Sequence, residues 1–137
     1  MTPQALAALH AAAFTGMRAW SAQEFSNLLS YPGTFAAGDQ DSFVLIRTVA
    51  DEAEVLTLAT TPAKRRQGLA RATLRKGEDL AKSLGASTIF LEVAEDNVAG
   101  INLYATSGYR EVGRRPRYYT PDKGAPIAAL ILRKSLT

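Results

Sequence analysis

Apolar residues along this chain recur with two spacings, every three to four positions and every second position, and the switches between them mark ten elements. Leu6, Leu9, Ala13 and Phe14 lie near one helical face behind Thr2-Pro3, a capping residue followed by proline at the first helical position. Ser21-Ala22-Gln23-Glu24 spells a capping box, and Phe25, Leu28 and Leu29 follow it at helical spacing. Trp20, just ahead of the cap, is placed to staple the helix start, and Pro32-Gly33 ends the helix. Strand patterns come next: Thr34 to Ala37, Ser42 to Val49 (SFVLIRTV) and Glu54 to Thr60 (EVLTLAT), with turns at Gly38-Asp39-Gln40-Asp41 and Asp51-Glu52. Pro62 stops the pairing. From Gln67 to about Leu84 an apolar stripe of Leu69, Ala70, Leu74, Ala81 and Leu84 runs along a charged segment, and Gly85 closes it. Thr88 to Val93 (TIFLEV) reads as a buried strand and Asn97 to Ser107 as a helix stopped by Gly108. Tyr109 to Arg114 and Ile127 to Leu132 are the last two strand patterns.

The order is two helices, three strands, a helix, a strand, a helix and two strands. The strand–helix–strand run over 54–93 predicts a parallel pair joined by a right-handed crossover, and the short turns before it predict antiparallel pairing. The expected fold class is α/β (α+β): one domain over residues 1–137, with a mixed central sheet flanked by about four helices.

Composition narrows the chemistry. With 47% hydrophobic and 21% charged residues, a chain of this length can bury a core without metals or disulfides. It has no cysteine, which excludes disulfides and a thiol nucleophile. The lone histidine, His10, excludes a histidine-rich metal site and leaves a serine–histidine triad one possible base; no metal is expected. No apolar run reaches the roughly 18 residues of a membrane span, and the N-terminus carries no secretion signal, so the cytoplasm is the expected location. The charge of +3 is concentrated at Lys64, Arg65, Arg66, Arg71, Arg75 and Lys76, and again at Arg110, Arg114, Arg115 and Arg117, the last three read as a solvated basic loop. Neither cluster comes with a nucleic-acid module, so a polyanionic small molecule fits the first better than sequence-specific nucleic acid.

Arg65-Arg66-Gln67-Gly68-Leu69-Ala70 is a basic, glycine-containing turn that opens a helix. Such a turn offers unbonded N–H groups and the positive end of a helix dipole to an anion. It lacks the lysine and Ser/Thr of a nucleoside-triphosphate loop and the three glycines of a dinucleotide fingerprint. A pyrophosphate held by successive N–H groups fits the turn. A role for Gly68 in close packing fits it equally, and the turn alone does not choose.

Three further segments do: Leu58-Ala59-Thr60-Thr61-Pro62, Phe90-Leu91-Glu92-Val93, and Asn97-x-x-x-Ile101-x-Leu103-Tyr104-x-x-x-Gly108-Tyr109. With them the sequence resembles the GNAT acetyltransferase superfamily from Met1 to Leu136. Within it the nearest resemblance is to the ribosomal-protein-alanine N-acetyltransferase (RimI-like) group, on Trp20-Ser21-x-x-x-Phe25, Leu91-Glu92-Val93, Asn97 with Tyr104, and Tyr118-Tyr119.

The resemblance implies acetyl-CoA as co-substrate and direct acetyl transfer to an amine in a ternary complex. It places the pyrophosphate on Arg65, Arg66, Gln67, Gly68, Leu69, Ala70 and Arg71, and assigns Asn97 and Ile101 to a second cofactor motif. It implies that the backbone of Leu58, Ala59 and Thr60 pairs with the pantetheine arm like an added strand. Glu92 is the implied general base, acting directly or through water, Tyr104 the implied general acid, and Trp20, Tyr118 and Tyr119 line the implied peptide groove. The residue chemistry agrees. An α-amine has a pKa near 8 and needs a base at neutral pH. Glu92 sits among apolar strand residues that would desolvate it, and a tyrosine phenol carries a proton to donate.

Three acceptor readings stay open: the N-terminal α-amine of a protein, a ribosomal one in the first place and with ribosome association; a small-molecule amine; or none, the domain being an acetyl-CoA-binding module. A monomer and a homodimer are both compatible with the sequence. The chain departs from the superfamily pattern in three places. It begins at the first helix, so the usual first strand is expected to be missing. Pro116 is inserted between arginines, against the usual Arg-Arg-x-Tyr-Tyr spacing, and Gly124-Ala125-Pro126 lacks an acidic pair. The last two fall on the acceptor side.

Overall fold

The computed structural model describes residues 1–14, 18–119 and 125–137, and of 117–119 the backbone alone. The elements are helix α1 (Pro3–Ala13), helix α2 (Ala22–Leu29), strands β1 (Thr34–Gly38), β2 (Ser42–Val49) and β3 (Glu52–Thr60), helix α3 (Leu69–Ser83), strand β4 (Thr88–Ala94), helix α4 (Val98–Thr106), and strands β5 (Arg110–Tyr119) and β6 (Ile127–Ser135). The order expected from the two periodicities holds throughout, and the first element is a helix.

Local chemistry sets the helix starts. Thr2 Oγ1 accepts from Ala5 N at 3.1 Å with Pro3 behind it. The capping box closes both ways, Glu24 N to Ser21 Oγ at 3.1 Å and Ser21 N to Glu24 Oε1 at 3.0 Å. Trp20 packs on Phe25 with ring centroids 5.6 Å apart, which is the expected staple.

The six strands form one sheet in the order β1-β2-β3-β4-β6-β5. β3 and β4 pair parallel through the α3 crossover, and the other neighbours pair antiparallel. β2 alternates its side chains between two cores. Phe43 and Leu45 join Leu6, Leu9 and Phe25 beneath α1 and α2. Val44 and Ile46 join Leu74, Ala81, Ile89, Leu91 and Tyr104 beneath α3 and α4. Gly77 lets α3 lie close to β2: a Cβ there would stand 2.6 Å from Ile46 Cδ1 and 2.7 Å from Val44 Cγ1. On the neighbouring face of α3, buried Glu78 accepts from Tyr109 Oη at 2.7 Å and from Lys134 Nζ at 2.8 Å. Burial first, and then the Glu78 charge, push the Tyr109 phenol well above its ordinary value.

Several boundaries differ from the sequence reading: β6 runs on to Ser135 rather than Leu132, and two others have a visible cause. Glu52 begins β3, because Ala50 takes the left-handed turn position at φ 54° and leaves Glu52 to pair with Val49. Residues 114–117, read as a basic loop, belong to β5, which runs on to Tyr119. The insertion around Pro116 is accommodated by an irregularity: between the pairs Arg115↔Ala129 and Tyr119↔Ile127, β5 advances by more residues than β6. β5 lies at the sheet edge, where a proline's missing N–H is tolerated.

One feature of the sheet opens it. β3 pairs with β4 only from Glu52↔Thr88 to Val55↔Leu91, although both strands run further. On its other side β3 shifts register at the same point: Val55 opposes Ile46 and Thr57 opposes Leu45, so Leu56 is an extra, bulged residue. A bulge adds local twist, and here it swings β3 away from β4. The result is a fork between the two parallel strands.

Candidate functional site

The fork turns backbone groups of β3 toward an opening. Thr61 N donates to Asp41 O at 2.8 Å, and register is continuous from Ser42↔Thr60 to Leu45↔Thr57. N–H groups alternate sides along a strand. Ala59 therefore points toward β2, while Leu58 and Thr60 point into the fork. Of the three residues read together as backbone donors, two face the opening and Ala59 does not.

Beyond Thr60, the turn into α3 has an unusual backbone. Arg66 has φ 62° and Gly68 φ 79°, both left-handed. Gly68 is the cap of α3 and has no side-chain oxygen to offer. The first helical bond is Ala72 N to Gly68 O at 3.1 Å. The N–H groups of Leu69, Ala70 and Arg71 precede it, so no helix carbonyl reaches them, and no acidic residue stands in the first turn. Packing against the described residues does not explain Gly68, because a Cβ built there meets none of their atoms within 4 Å. Open space in front of an uncapped helix start fits an anion. It suits the pyrophosphate of acetyl-CoA, with the fork as a slot for the arm that follows.

The arginines of this turn are arranged differently from the expectation. Arg65 Nη2 donates to Ala13 O at 2.6 Å, tying the turn to the end of α1. Arg71 donates to Ser107 Oγ at 3.1 Å and Thr106 Oγ1 at 2.7 Å, clamping α3 to the end of α4. Arg66 and Gln67 are exposed. What the turn leaves without a helix partner is therefore the backbone N–H groups of Leu69, Ala70 and Arg71, while the Arg65 and Arg71 side chains bond within the protein.

Glu92 is the first residue of β4 past Leu91, its last pair with β3, and so stands at the mouth of the fork. Ile89, Leu91 and Val93 face the α3/α4 core, so Glu92 projects from the opposite face, the face that carries α1 and α2. An apolar cage was expected around it. Instead Arg115 Nε lies 3.1 Å from Glu92 Oε1, with 16% of the glutamate side chain exposed. Tyr104 comes from the other face. It is buried against Tyr109, ring centroids 5.7 Å apart, beneath α4. Ile101 packs against the same core, and Asn97 caps α4 by accepting from Gly100 N at 3.0 Å. The two residues expected to move protons thus lie on opposite faces of the sheet.

On the acceptor side, Trp20 is half-buried in an aromatic cluster. Its ring stacks on His10 at 5.1 Å, and its backbone N–H donates to His10 Nδ1 at 3.2 Å. Packing of α1 on α2 accounts for it. The side chains of Tyr118 and Tyr119 and the hairpin end at Gly124 lie outside the described residues.

Known proteins with this arrangement were found in three comparisons. The model of the acetyltransferase (GNAT) family matches residues 12–109. The chain belongs to this family. It is 35% identical over 94 residues to the [Ribosomal protein bS18]-alanine N-acetyltransferase of Escherichia coli strain K12, an alignment covering 69% of this chain and 64% of that protein. It is 33% identical over 125 residues to the N-alpha-acetyltransferase RimI of Mycobacterium tuberculosis, covering 85% of this chain and 77% of that one. The crystal structure of the ribosomal-protein-S18-alanine N-acetyltransferase from Escherichia coli superposes with a TM-score of 0.87 at 28% identity, over 98% of this chain and 88% of that one. The GNAT fold expected from the resemblance is thereby the fold of this chain, and its nearest expected group supplies the relatives. Among the described residues, no helix is long and apolar enough to cross a membrane.

Three side chains of this GNAT domain have partners that the sequence reading did not foresee. Arg115 reaches Glu92, Arg114 reaches Glu95 at 3.0 Å, and Glu78 carries the buried network of α3. Glu78 leaves a trace in the sequence: it follows Leu74 by four positions and interrupts the apolar stripe with a charge. The arginine contacts cross β6, whose position between β4 and β5 no local pattern reveals.

Proposed function

We propose that the protein is an acetyl-CoA-dependent N-acetyltransferase that acts on the N-terminal α-amine of a protein, with a ribosomal protein beginning in alanine as the acceptor. The observation that carries this reading is the fork, with Glu92 at its mouth on one face and Tyr104 on the other. The relatives named for that activity support the choice of acceptor class. Such an acceptor places the reaction in the cytoplasm.

Acetyl-CoA supplies an acetyl group activated as a thioester. The N–H groups of Leu69, Ala70 and Arg71 would hold its pyrophosphate. The Leu58 and Thr60 N–H groups line the fork where a strand-like arm can pair and where a carbonyl oxygen can be polarised. Glu92 Oε accepts a proton from the ammonium form of the acceptor, directly or through one water. Tyr104 Oη holds the proton that a departing thiolate needs. No covalent enzyme intermediate is involved: the chain has no cysteine, and its one histidine is engaged with Trp20.

The test is turnover of acetyl-CoA against a panel of short peptides with free N-termini and a panel of small amines. The reading predicts a higher kcat/KM for alanine-initiated peptides than for any small amine. Preference for small amines would move the protein to a different acceptor class. A failure of CoA to raise the melting temperature would remove the donor as well, since a ligand bound to the native state must stabilise it.

A further inference from the structure

We propose that Arg115 is a positioning residue for Glu92, holding its carboxylate at the mouth of the fork from two strands away. The proposal rests on the reading of Glu92 as the proton acceptor.

The register shows how an arginine on the edge strand can reach β4. One row across the sheet is Glu92↔Ile131↔Gly113, and the next on the same face is Ala94↔Ala129↔Arg115. Residues in register share a face and successive rows alternate faces, so Glu92 and Arg115 project from the same side of the sheet, two residue rows apart and with β6 between them. In that row the intervening β6 residue, Ala129, and the β4 residue beyond it, Ala94, are both alanines. A long side chain can lie over them and descend to the row of Glu92. Its Nε ends 3.1 Å from Glu92 Oε1. Arg115 is also the last β5 residue in register before the irregularity at Pro116, so its base is held by the regular part of the sheet.

The adjacent arginine provides the contrast. Arg114 opposes Leu130, whose side chain packs toward the α3/α4 core, so Arg114 leaves β5 on the opposite face and meets Glu95. That pair is exposed at both ends, 56% and 40%, and pairs of this kind contribute little. The Arg115–Glu92 pair is as open at the arginine, 55% exposed, but its carboxylate is only 16% exposed, where geometry is better defined and a guanidinium is a stiff partner. A flexible glutamate at the lip of an opening needs such a restraint, because a misplacement of about 1 Å lowers catalysis roughly hundredfold.

The experiment is a double-mutant cycle on the full chain, read as kcat and KM with acetyl-CoA and a short alanine-initiated peptide. Arg115→Gln is expected to lower kcat roughly tenfold to hundredfold and to leave KM for acetyl-CoA unchanged. Arg115→Lys should recover part of the loss. In the Glu92→Gln background, removing Arg115 should cost no more. Arg114→Gln should behave as the unsubstituted protein. A thermal shift with CoA confirms that each variant is folded. If the Arg115 and Glu92 losses multiply, or if Arg114→Gln causes the same loss, the positioning role is wrong while Glu92 remains the base. If Glu92→Gln alone leaves kcat unchanged, the base assignment falls and the positioning role falls with it.

Discussion

Glu92 differs from its neighbours in β4 by one step of register. Leu91 still pairs with β3, while Glu92 lies beyond the last pair and faces away from the α3/α4 core. Its identity was legible in the sequence as a carboxylate in an apolar strand; its guanidinium partner was not. If Glu92 accepts the acceptor proton, Glu92→Gln lowers kcat by roughly 10²–10⁴-fold with KM for acetyl-CoA unchanged, measured by release of the CoA thiol. Gly68 poses a different question, because its backbone rather than its side chain is required. At φ 79° with nothing near its Cβ position, Gly68→Ala should lower unfolding stability by about 1–2 kcal/mol, read by denaturant titration, and should weaken CoA binding by intruding into the open space. Arg65→Ala should weaken CoA binding less than tenfold, an order-of-magnitude figure for one partly exposed charge, because the backbone N–H groups remain. Calorimetric titration of both variants with CoA checks the ranking.

The elements were the most legible part of the chain, for reasons that are local. A cap, a staple and an apolar stripe are all written within a few residues; Thr2, Ser21 and Trp20 behave as written, and of the α3 stripe Leu74 and Ala81 are buried while Leu84, past the helix end, is 56% exposed. The bulge at Leu56 is a relation between two strands, and the fork depends on it. No pattern within EVLTLAT announces that Leu56 lacks an opposite residue on β2. The β5 register is likewise decided by β6, so the stretch from Arg114 looked like a loop. Gly77 shows element packing overriding propensity. Alanine is the better helix former by about 1 kcal/mol, yet a Cβ at 77 would press on Ile46 and Val44, both fully buried. Overpacking costs typically about 1–3 kcal/mol, so Gly77→Ala is expected to lower the denaturation midpoint despite its helix propensity. A rise in stability would mean that β2 gives way without cost.

At the scale of the molecule, the sheet separates two cores and gives each a role. The α3/α4 side carries the uncapped helix start and Tyr104, and the α1/α2 side carries the face from which Glu92 projects. Stability at low pH depends on the second core. Burial, the dominant effect, lowers the pKa of His10 from its ordinary 6.5, with the Glu24 charge opposing and the Arg18 charge assisting. The unfolded chain therefore takes up a proton near 6.5 that the folded chain refuses, so stability falls as pH drops below that value. Glu24, which Arg18 holds at about 2, contributes its own loss only below about 4.5. Denaturant titrations between pH 7 and 5 should show a falling midpoint, and His10→Asn should flatten that slope. An unchanged slope in the variant would place the proton uptake elsewhere.

If the fork between β3 and β4 is the donor slot, CoA must cover its backbone. Backbone amide exchange at Leu58 and Thr60, followed with and without saturating CoA, tests it most directly. Both amides are expected to become protected when CoA binds, while Ala59, already paired with β2, changes little. CoA binding that raises the melting temperature yet leaves Leu58 and Thr60 exchanging as before would contradict it.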